Sequence, residues 1–173
     1  MRPGDQSDGQ ISFFGTIEYQ LDPDLNIQHP LLRDGLNVWD DLKGARPMPS
    51  PVDIDPLGFP TRLLPHISLL DIEYQPTRRF RWRLIGTYIT EILGRDSTGR
   101  YWDEIYGSRA MKALSQGPIW VIENRRPVRN LGSAHYVDKT YLRSESIDMP
   151  LSTDGEVIDH LFICTAFGAQ EAS

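Results

Sequence analysis

The sequence has little cysteine and no long apolar run. Its single cysteine, Cys164, has no partner for an internal disulfide and cannot form a thiolate metal site alone. The absence of about 18–20 consecutive apolar residues argues against a transmembrane helix. Residues 1–10 lack the apolar stretch of a secretory signal. These absences predict a soluble cytoplasmic protein with no membrane contact.

The sequence also lacks an excess of basic residues. It has 18 Lys and Arg against 24 Asp and Glu, a formal net charge of −6, which argues against binding to nucleic acid. One local basic cluster, formed by Arg78, Arg79, Arg81 and Arg83, surrounds Trp82. This cluster is either a surface for an acidic protein partner or a solvated sheet face whose arginine stems cover aromatic surface.

The first third of the chain predicts one strand and one helix. Ile17, Tyr19 and Leu21 alternate with polar residues, as in a short half-buried strand. A helix between Pro30 and Gly44 follows from an apolar stripe at helical spacing. The stripe consists of Leu32, Leu36, Trp39 and Leu42. It either packs on its own domain or forms a seam with a second copy or a signalling partner.

The remaining sequence predicts strands on both sides of a helical middle. A Pro-rich connector and a short helix over 55–63 lead to a hairpin, in which Phe80, Trp82 and Leu84 share one face. Short helices and one longer helix, bent at Gly117-Pro118, precede three strands in a meander. The predicted hairpin strands are 67–74 and 80–84, the helices 88–93, 101–106 and 109–124, and the meander strands 128–136, 141–149 and 157–167. This order predicts an α+β fold with a five-stranded antiparallel sheet.

Two sequence strings make the pattern more specific. They are Arg81-Trp82-Arg83-Leu84-Ile85-Gly86-Thr87 and Gly94-Arg95-Asp96-x-Thr98-Gly99-Arg100. With the element order, they resemble a compact bacterial PAS-domain family common in alphaproteobacteria, over roughly residues 35–168. The positions that carry the resemblance as structural motif residues are Arg83, Gly86, Thr87, Gly94, Arg95, Asp96 and Gly99.

The resemblance implies a fold and a role. It implies a PAS-like sheet with short helices on one face and an N-terminal helical extension. It divides the chain into an N-terminal extension that is partly disordered (1–30), a helix and Pro-rich connector (31–65), a PAS-like core (66–168) and a C-terminal tail (169–173). It implies a stand-alone, non-catalytic sensor or adaptor that binds a small ligand, a partner protein or a second copy of itself.

A PAS-like pocket would be lined by aromatic side chains, and histidines from the meander are further candidates. The aromatic candidates are Tyr88, Trp102, Trp120 and Tyr136, for which ordinary core packing is the alternative. His135 and His160 are the histidine candidates. Haem and flavin are disfavoured, because the longest helix contains no histidine and Cys164 lies in the last strand rather than in the helical middle. The scattered histidines predict no metal site.

Two other classes of protein remain open. One is a small cone-shaped α+β isomerase or dehydratase that uses a pocket pair of His160 with Asp148 or Asp159. Such an enzyme begins with long helices, whereas here a hairpin precedes the longest helix. The other is a structural adaptor with a fully packed core and no ligand.

Overall fold

A single antiparallel sheet runs through the computed structural model, which describes residues 18–136 and 139–169. Within these residues the sheet has six strands, in the order β1-β4-β5-β6-β2-β3. Their bounds are β1 Glu18–Asp22, β2 Ile67–Glu73, β3 Arg79–Ile85, β4 Val128–Tyr136, β5 Lys139–Leu151 and β6 His160–Ala169. The β2–β3 hairpin therefore joins the β4–β5–β6 meander through the pairing of β2 with β6.

Five α-helices and three short 3-10 helices connect the described strands. The α-helices are α1 Pro30–Lys43, α2 Thr87–Leu93, α3 Trp102–Ile105, α4 Ser108–Leu114 and α5 Gln116–Asn124. The 3-10 helices are Pro51–Asp53, Pro56–Gly58 and Thr61–His66, and they replace the single helix predicted over 55–63. None of the helices in the described ranges has the length and apolarity needed to cross a membrane.

The predicted α+β class is confirmed, but the sheet has six strands rather than five. The additional strand is β1, which pairs with β4 from Glu18–Ser133 to Asp22–Arg129. A buried ion pair holds it in place: the Arg129 guanidinium lies 3.0 Å from Oδ2 of Asp22 and 2.6 Å from Oε2 of Glu145 on β5. Because a buried charge without its partner is costly, this contact fixes β1 to the sheet edge.

A bulge in the β2–β3 hairpin changes which residues share a face. Leu70 pairs with Trp82 but Leu69 pairs with Leu84, so Arg83 is an extra residue in β3. A bulge shifts the side-chain alternation by one position. The prediction that Leu84 lies on the face of Trp82 is therefore wrong. Ile85 takes that place, opposite Ser68, and Leu84 is 38% exposed.

The helical middle is also divided differently from the prediction. The helix expected over 109–124 is two helices, α4 and α5, which meet at Ser115 rather than at a bend at Gly117-Pro118. Gly86 is the N-cap of α2, and Thr87 is its first residue. The α1 bounds, in contrast, follow the predicted start at Pro30 and end before Gly44.

Helices cover both faces of the sheet. The helices α2 to α5 lie over one face, and α1 packs on the other face against β5 and β6. Trp39 and Leu32 are buried in this contact, and the Trp39 indole Nε1 donates to the carbonyl of Pro150 at 2.8 Å. The stripe of Leu32, Leu36, Trp39 and Leu42 thus packs on its own domain, and its buried residues cannot form a seam with a partner.

Gly35 is the point of closest approach between α1 and β6. A Cβ at this position would overlap with the sulfur of Cys164. We expect Gly35→Ala to lower the free energy of unfolding by about 1–2 kcal/mol, because overpacking of about 1–3 kcal/mol exceeds the gain in helix propensity. Urea unfolding measures the effect.

The double variant Gly35→Ala/Cys164→Ala provides the matched test of this contact. Once Cys164→Ala has removed the sulfur, adding Gly35→Ala should cost much less stability than Gly35→Ala costs in the wild type. Additive effects of the two substitutions would contradict the proposed overlap.

Candidate functional site

A cavity of about 130 Å³ lies between the sheet and the helices α2 to α4. Its wall comes from β1, every strand of the meander, the β2–β3 hairpin and the segment after α2. The residues that line it are Tyr19, Ser68, Trp82, Ile85, Ile89, Leu93, Arg95, Ser97, Trp102, Tyr106, Leu114, Asn130, Ser133, Leu142, Ser144, Ser146, Asp148, Ile163, Thr165 and Phe167.

The sheet side of the cavity carries a row of polar side chains among apolar ones. Side chains of a strand alternate between faces, so Ser144, Ser146 and Asp148 of β5 line the cavity. Their neighbours Ile147 and Met149 are fully buried on the opposite face. The sheet therefore separates an apolar layer under α1 from a cavity wall rich in hydroxyl groups, with one carboxamide and one carboxyl group.

Asp148 and Asn130 form the most buried polar pair on this wall. Asp148 is 5% exposed and Asn130 is 3% exposed. The two side chains share a hydrogen bond, yet Oδ1 of Asn130 has no partner among the described residues. The indole Nε1 of Trp102, on the opposite wall, is likewise buried without an acceptor. Buried polar atoms are nearly always satisfied, so these two atoms make the cavity beside them a candidate binding site.

Burial raises the pKa of Asp148 to about 7, and the hydrogen bond from Asn130 only partly offsets it. Desolvation disfavours the charged form of a carboxyl, and none of the cationic side chains in the described ranges forms an ion pair with this one. The other titratable groups on the wall are Tyr19, Arg95 and Tyr106. Burial raises the pKa of Tyr106 to about 12, so its phenol is neutral.

Aromatic rings from β3, from α3 and from the residue after α3 form one side of the cavity. The ring centroids of Trp82 and Trp102 are 5.1 Å apart, and Tyr106 meets Trp102 edge-on at 5.8 Å. The indole Nε1 of Trp82 donates to the Tyr106 hydroxyl at 3.1 Å. This cluster gives a ligand flat aromatic surface opposite the polar strand residues.

The structure brings one of the predicted aromatic residues, Trp102, into the cavity wall. Tyr88 lies outside it, stacked at 4.3 Å on His66, with its hydroxyl directed to the carbonyl of Phe167. Trp120 lies beneath the Arg126 guanidinium, 5.0 Å from its ring centroid, and is also not part of the wall.

The histidine candidate whose side chain is described, His160, does not line the cavity. His160 lies on the opposite face of the sheet, where its Nδ1 is 2.8 Å from Asp159 and its Nε2 is 3.2 Å from Asp71. Burial opposes the charged form of His160, but these carboxylates outweigh it and raise its pKa. The side chains of His135 and Tyr136 lie outside the described part of the structure.

Three arginines of the basic cluster form ion pairs within the chain. The guanidinium of Arg79 pairs with Asp103 at 2.7 Å, while Arg81 and Arg83 both pair with Asp71, at 2.8 and 2.7 Å. Asp71 is buried, and its arginine and histidine partners hold its pKa well below the usual range despite the desolvation. These pairings favour a sheet face with internal ion pairs over a surface for an acidic partner.

The motif residues from Gly86 to Gly99 shape the segment beside the cavity. A Cβ on Gly86 would overlap with the Pro65 carbonyl, so only glycine fits there. Gly94 and Gly99 have φ of +71° and +85°, which favours glycine. The Asp96 carboxylate accepts from both the backbone N–H and the hydroxyl of Thr98. This turn carries Arg95 and Ser97 to the cavity.

Sequence reasoning missed most of the polar wall. The sequence indicated Asp148 only as a possible partner of His160, and it did not indicate Asn130 or the serines as cavity residues. The available signal was the polar row Ser144, Ser146 and Asp148, which alternates with buried Ile147 and Met149. A polar row on one side of a central strand indicates that this side faces a cavity. Within the described ranges no cluster of three or more potential metal ligands is present.

Asp148→Asn tests the cost of the buried carboxyl. A raised folded-state pKa means that the wild type loses stability as the pH rises from about 4 through about 7. The amide removes this titration and offers a donor to Asn130. The free energy of unfolding of Asp148→Asn should exceed that of the wild type by a margin that grows with pH. We expect this margin to be about 3 kcal/mol larger at about pH 8 than at about pH 5.

Urea unfolding at the two pH values measures this gain. Asp24→Asn, which removes an exposed carboxyl, is the control and should leave the pH dependence nearly unchanged. Parallel pH profiles of the wild type and Asp148→Asn would show that the carboxyl titrates normally.

Comparison with known families agrees with this architecture. A family model described as a PAS domain matches residues 27–164, which is most of the chain. The match includes α1, the strands β2 to β5 and all but the end of β6. It also includes nearly all of the residues that line the cavity. A comparison with curated proteins finds no match. The family match, together with the antiparallel sheet and the helices packed on its faces, places this chain in the PAS domain family.

Proposed function

We propose that this chain is a cytoplasmic, non-catalytic sensor or adaptor in which a small ligand occupies the cavity and a partner protein reads the occupied state. The observation that carries the proposal is the cavity itself, which is lined by Asp148 and several hydroxyl groups and lies beside unpartnered buried atoms on Asn130 and Trp102. A protein that acted only as a packed scaffold would have no reason to retain these groups or the buried Asp148.

The sheet offers a direct route from the cavity to the opposite face. Ile163 and Asp148 line the cavity, while the next residues along their strands, Cys164 and Met149, are buried beneath α1. Interiors are close-packed, so a ligand that displaces β5 or β6 also displaces α1. The outer side of α1 is polar and exposed at Arg33, Asn37, Asp40 and Asp41, and it is where a second copy or a signalling protein would bind.

The geometry gives little support to the alternative of a His–Asp enzyme. His160 does contact Asp159, but this pair lies on the sheet face opposite the cavity. Asp148 is on the cavity side and cannot pair with His160 through the sheet. Among the described residues of the cavity wall, none is a histidine that could serve this carboxyl as a general base.

Native mass spectrometry and NMR together test the proposed role. We expect either a retained small molecule in the purified protein or fragments from a chemically mixed library that shift the indole Nε1–H signal of Trp102. Trp39, whose indole is bonded to Pro150 on the other face, is the internal control for the NMR signal.

A cavity-filling variant makes the test specific. Ser144→Leu extends an apolar side chain into the cavity and should abolish retention and fragment shifts, while Ser108→Leu, at an exposed position, should not. Circular dichroism verifies that each variant folds. Absence of both a retained mass and any Trp102 shift in the wild type would contradict a ligand-binding role.

A further inference from the structure

Among the described residues, the cavity wall carries one positively charged side chain, that of Arg95. Arg95 lies on the turn that follows α2 and is half-buried. Its backbone N–H donates to the carbonyl of Thr90 at 3.1 Å, and the carboxylate of the next residue, Asp96, accepts from the backbone N–H and the hydroxyl of Thr98. Hydrogen bonds on both sides of Arg95 thus fix the backbone from which its side chain reaches the cavity.

Arg95 has no counter-ion in the described part of the chain. Arg81 and Arg129 each pair with a carboxylate at 3.0 Å or less. For Arg95, by contrast, none of the described carboxylates lies within ion-pair distance of the guanidinium. Asp148, on the same wall, is bonded to Asn130, and its pKa of about 7 keeps it mostly neutral in slightly acidic solution. The wall therefore holds a cationic group whose charge the described residues leave unpaired.

The charge of Arg95 acts on the buried part of the wall. Tyr106 lines the cavity and is 7% exposed. Burial raises the pKa of its phenol, and both the hydrogen bond from Trp82 and the positive charge of Arg95 oppose that rise. A charge beside a wall from which water is largely excluded interacts more strongly with an opposite charge than it would in bulk water. This part of the cavity therefore favours a negatively charged group.

Hydroxyl groups supply further hydrogen-bond donors on the wall. Ser97, two residues after Arg95 on the same turn, lines the cavity and is 4% exposed. Ser68 of β2 and Thr165 of β6 line it from the sheet. An ionised carboxylate only accepts hydrogen bonds, and both guanidinium N–H groups and hydroxyls can donate to it. These polar groups therefore suit a carboxylate better than a second cation.

Much of the remaining wall is apolar and limits the ligand to about one ring. Ile89 and Leu93 of α2 and the rings of Trp82 and Trp102 surround this part of the space. An apolar cavity of about 150 Å³ holds one benzene molecule, and this cavity measures about 130 Å³. One compact ring therefore fills the volume, and a carboxylate attached to it lies at the half-buried Arg95. A nucleotide, a haem or a flavin is too large.

We propose that the cavity binds a small monocarboxylate with one compact ring, whose carboxylate pairs with Arg95 and whose ring packs against Trp82 and Trp102. The inference rests on the proposed sensory function and specifies the ligand chemistry of the same cavity. A guanidinium binds a carboxylate through two parallel, charge-assisted N–H groups, and aromatic side chains favour a ring beside them.

Four probes test this ligand class. Benzoate, benzamide and benzamidine have nearly the same shape and are an anion, a neutral amide and a cation, while acetate keeps the carboxylate without the ring. Binding to the full chain is measured by the shift of the Trp102 indole Nε1–H signal, with Trp39 as the internal control. The measurement is made at about pH 6, where Asp148 is mostly protonated and the probe carboxylates are ionised. We expect benzoate to bind at least about tenfold more tightly than each of the other three.

Arg95→Gln is the decisive variant, since it removes the charge and keeps a polar side chain. It should weaken benzoate by about tenfold or more and change the affinity for benzamide by less than about twofold, which verifies that the cavity is intact. Arg78→Gln removes the same charge at an exposed position and should weaken neither probe. Retained benzoate affinity in Arg95→Gln would overturn the inference.

The probes also separate this inference from the proposed function. Tighter binding of benzamide or benzamidine would overturn the carboxylate class but leave the cavity as a ligand site. Acetate that bound as tightly as benzoate would overturn the role of the ring. Failure of all four probes to bind would overturn the inference, and the retained-ligand measurement then decides the sensory function separately.

Discussion

The structure depends on a sheet that is buried on both faces although one of those faces carries a row of polar side chains. β5 carries Ile147 and Met149 beneath α1 and Ser146 and Asp148 beneath the other helices. The apolar face gains stability from burial. The polar face loses hydration and must be satisfied by hydrogen bonds or by a ligand. The cavity exists where the helices leave these polar groups uncovered.

A second buried polar network fixes the N-terminal segment to this sheet. The Glu145 carboxylate accepts from the backbone N–H groups of Gln28 and His29 and from Arg129, which also holds Asp22. One carboxylate thus secures both β1 and the start of α1. The segment that precedes the helix is therefore part of the sheet architecture and contributes Tyr19 to the cavity wall.

Local sequence signals predicted the helices and strands better than they predicted which of their residues contact each other. Pro30 and Gly44 marked the bounds of α1, because proline suits a first turn and glycine an end. The alternation from Phe80 to Trp82 predicted β3, but nothing in the sequence marked the bulge at Arg83 that placed Leu84 outside. Asp71 and Asp148 take their roles from residues on neighbouring strands, and strand register is not readable from one sequence.

Membership of the PAS domain family and the cavity together define the account: a sheet whose one side lines a candidate ligand site and whose other side contacts α1. The most direct test is the pKa of the Asp148 carboxyl, measured by carbon-13 NMR titration with Asp148→Asn for assignment. The account predicts a pKa of about 7. A value near 4, the ordinary range for aspartate, would show that water or a cation already stabilises the charge and would contradict a buried, unpaired carboxyl at the ligand site.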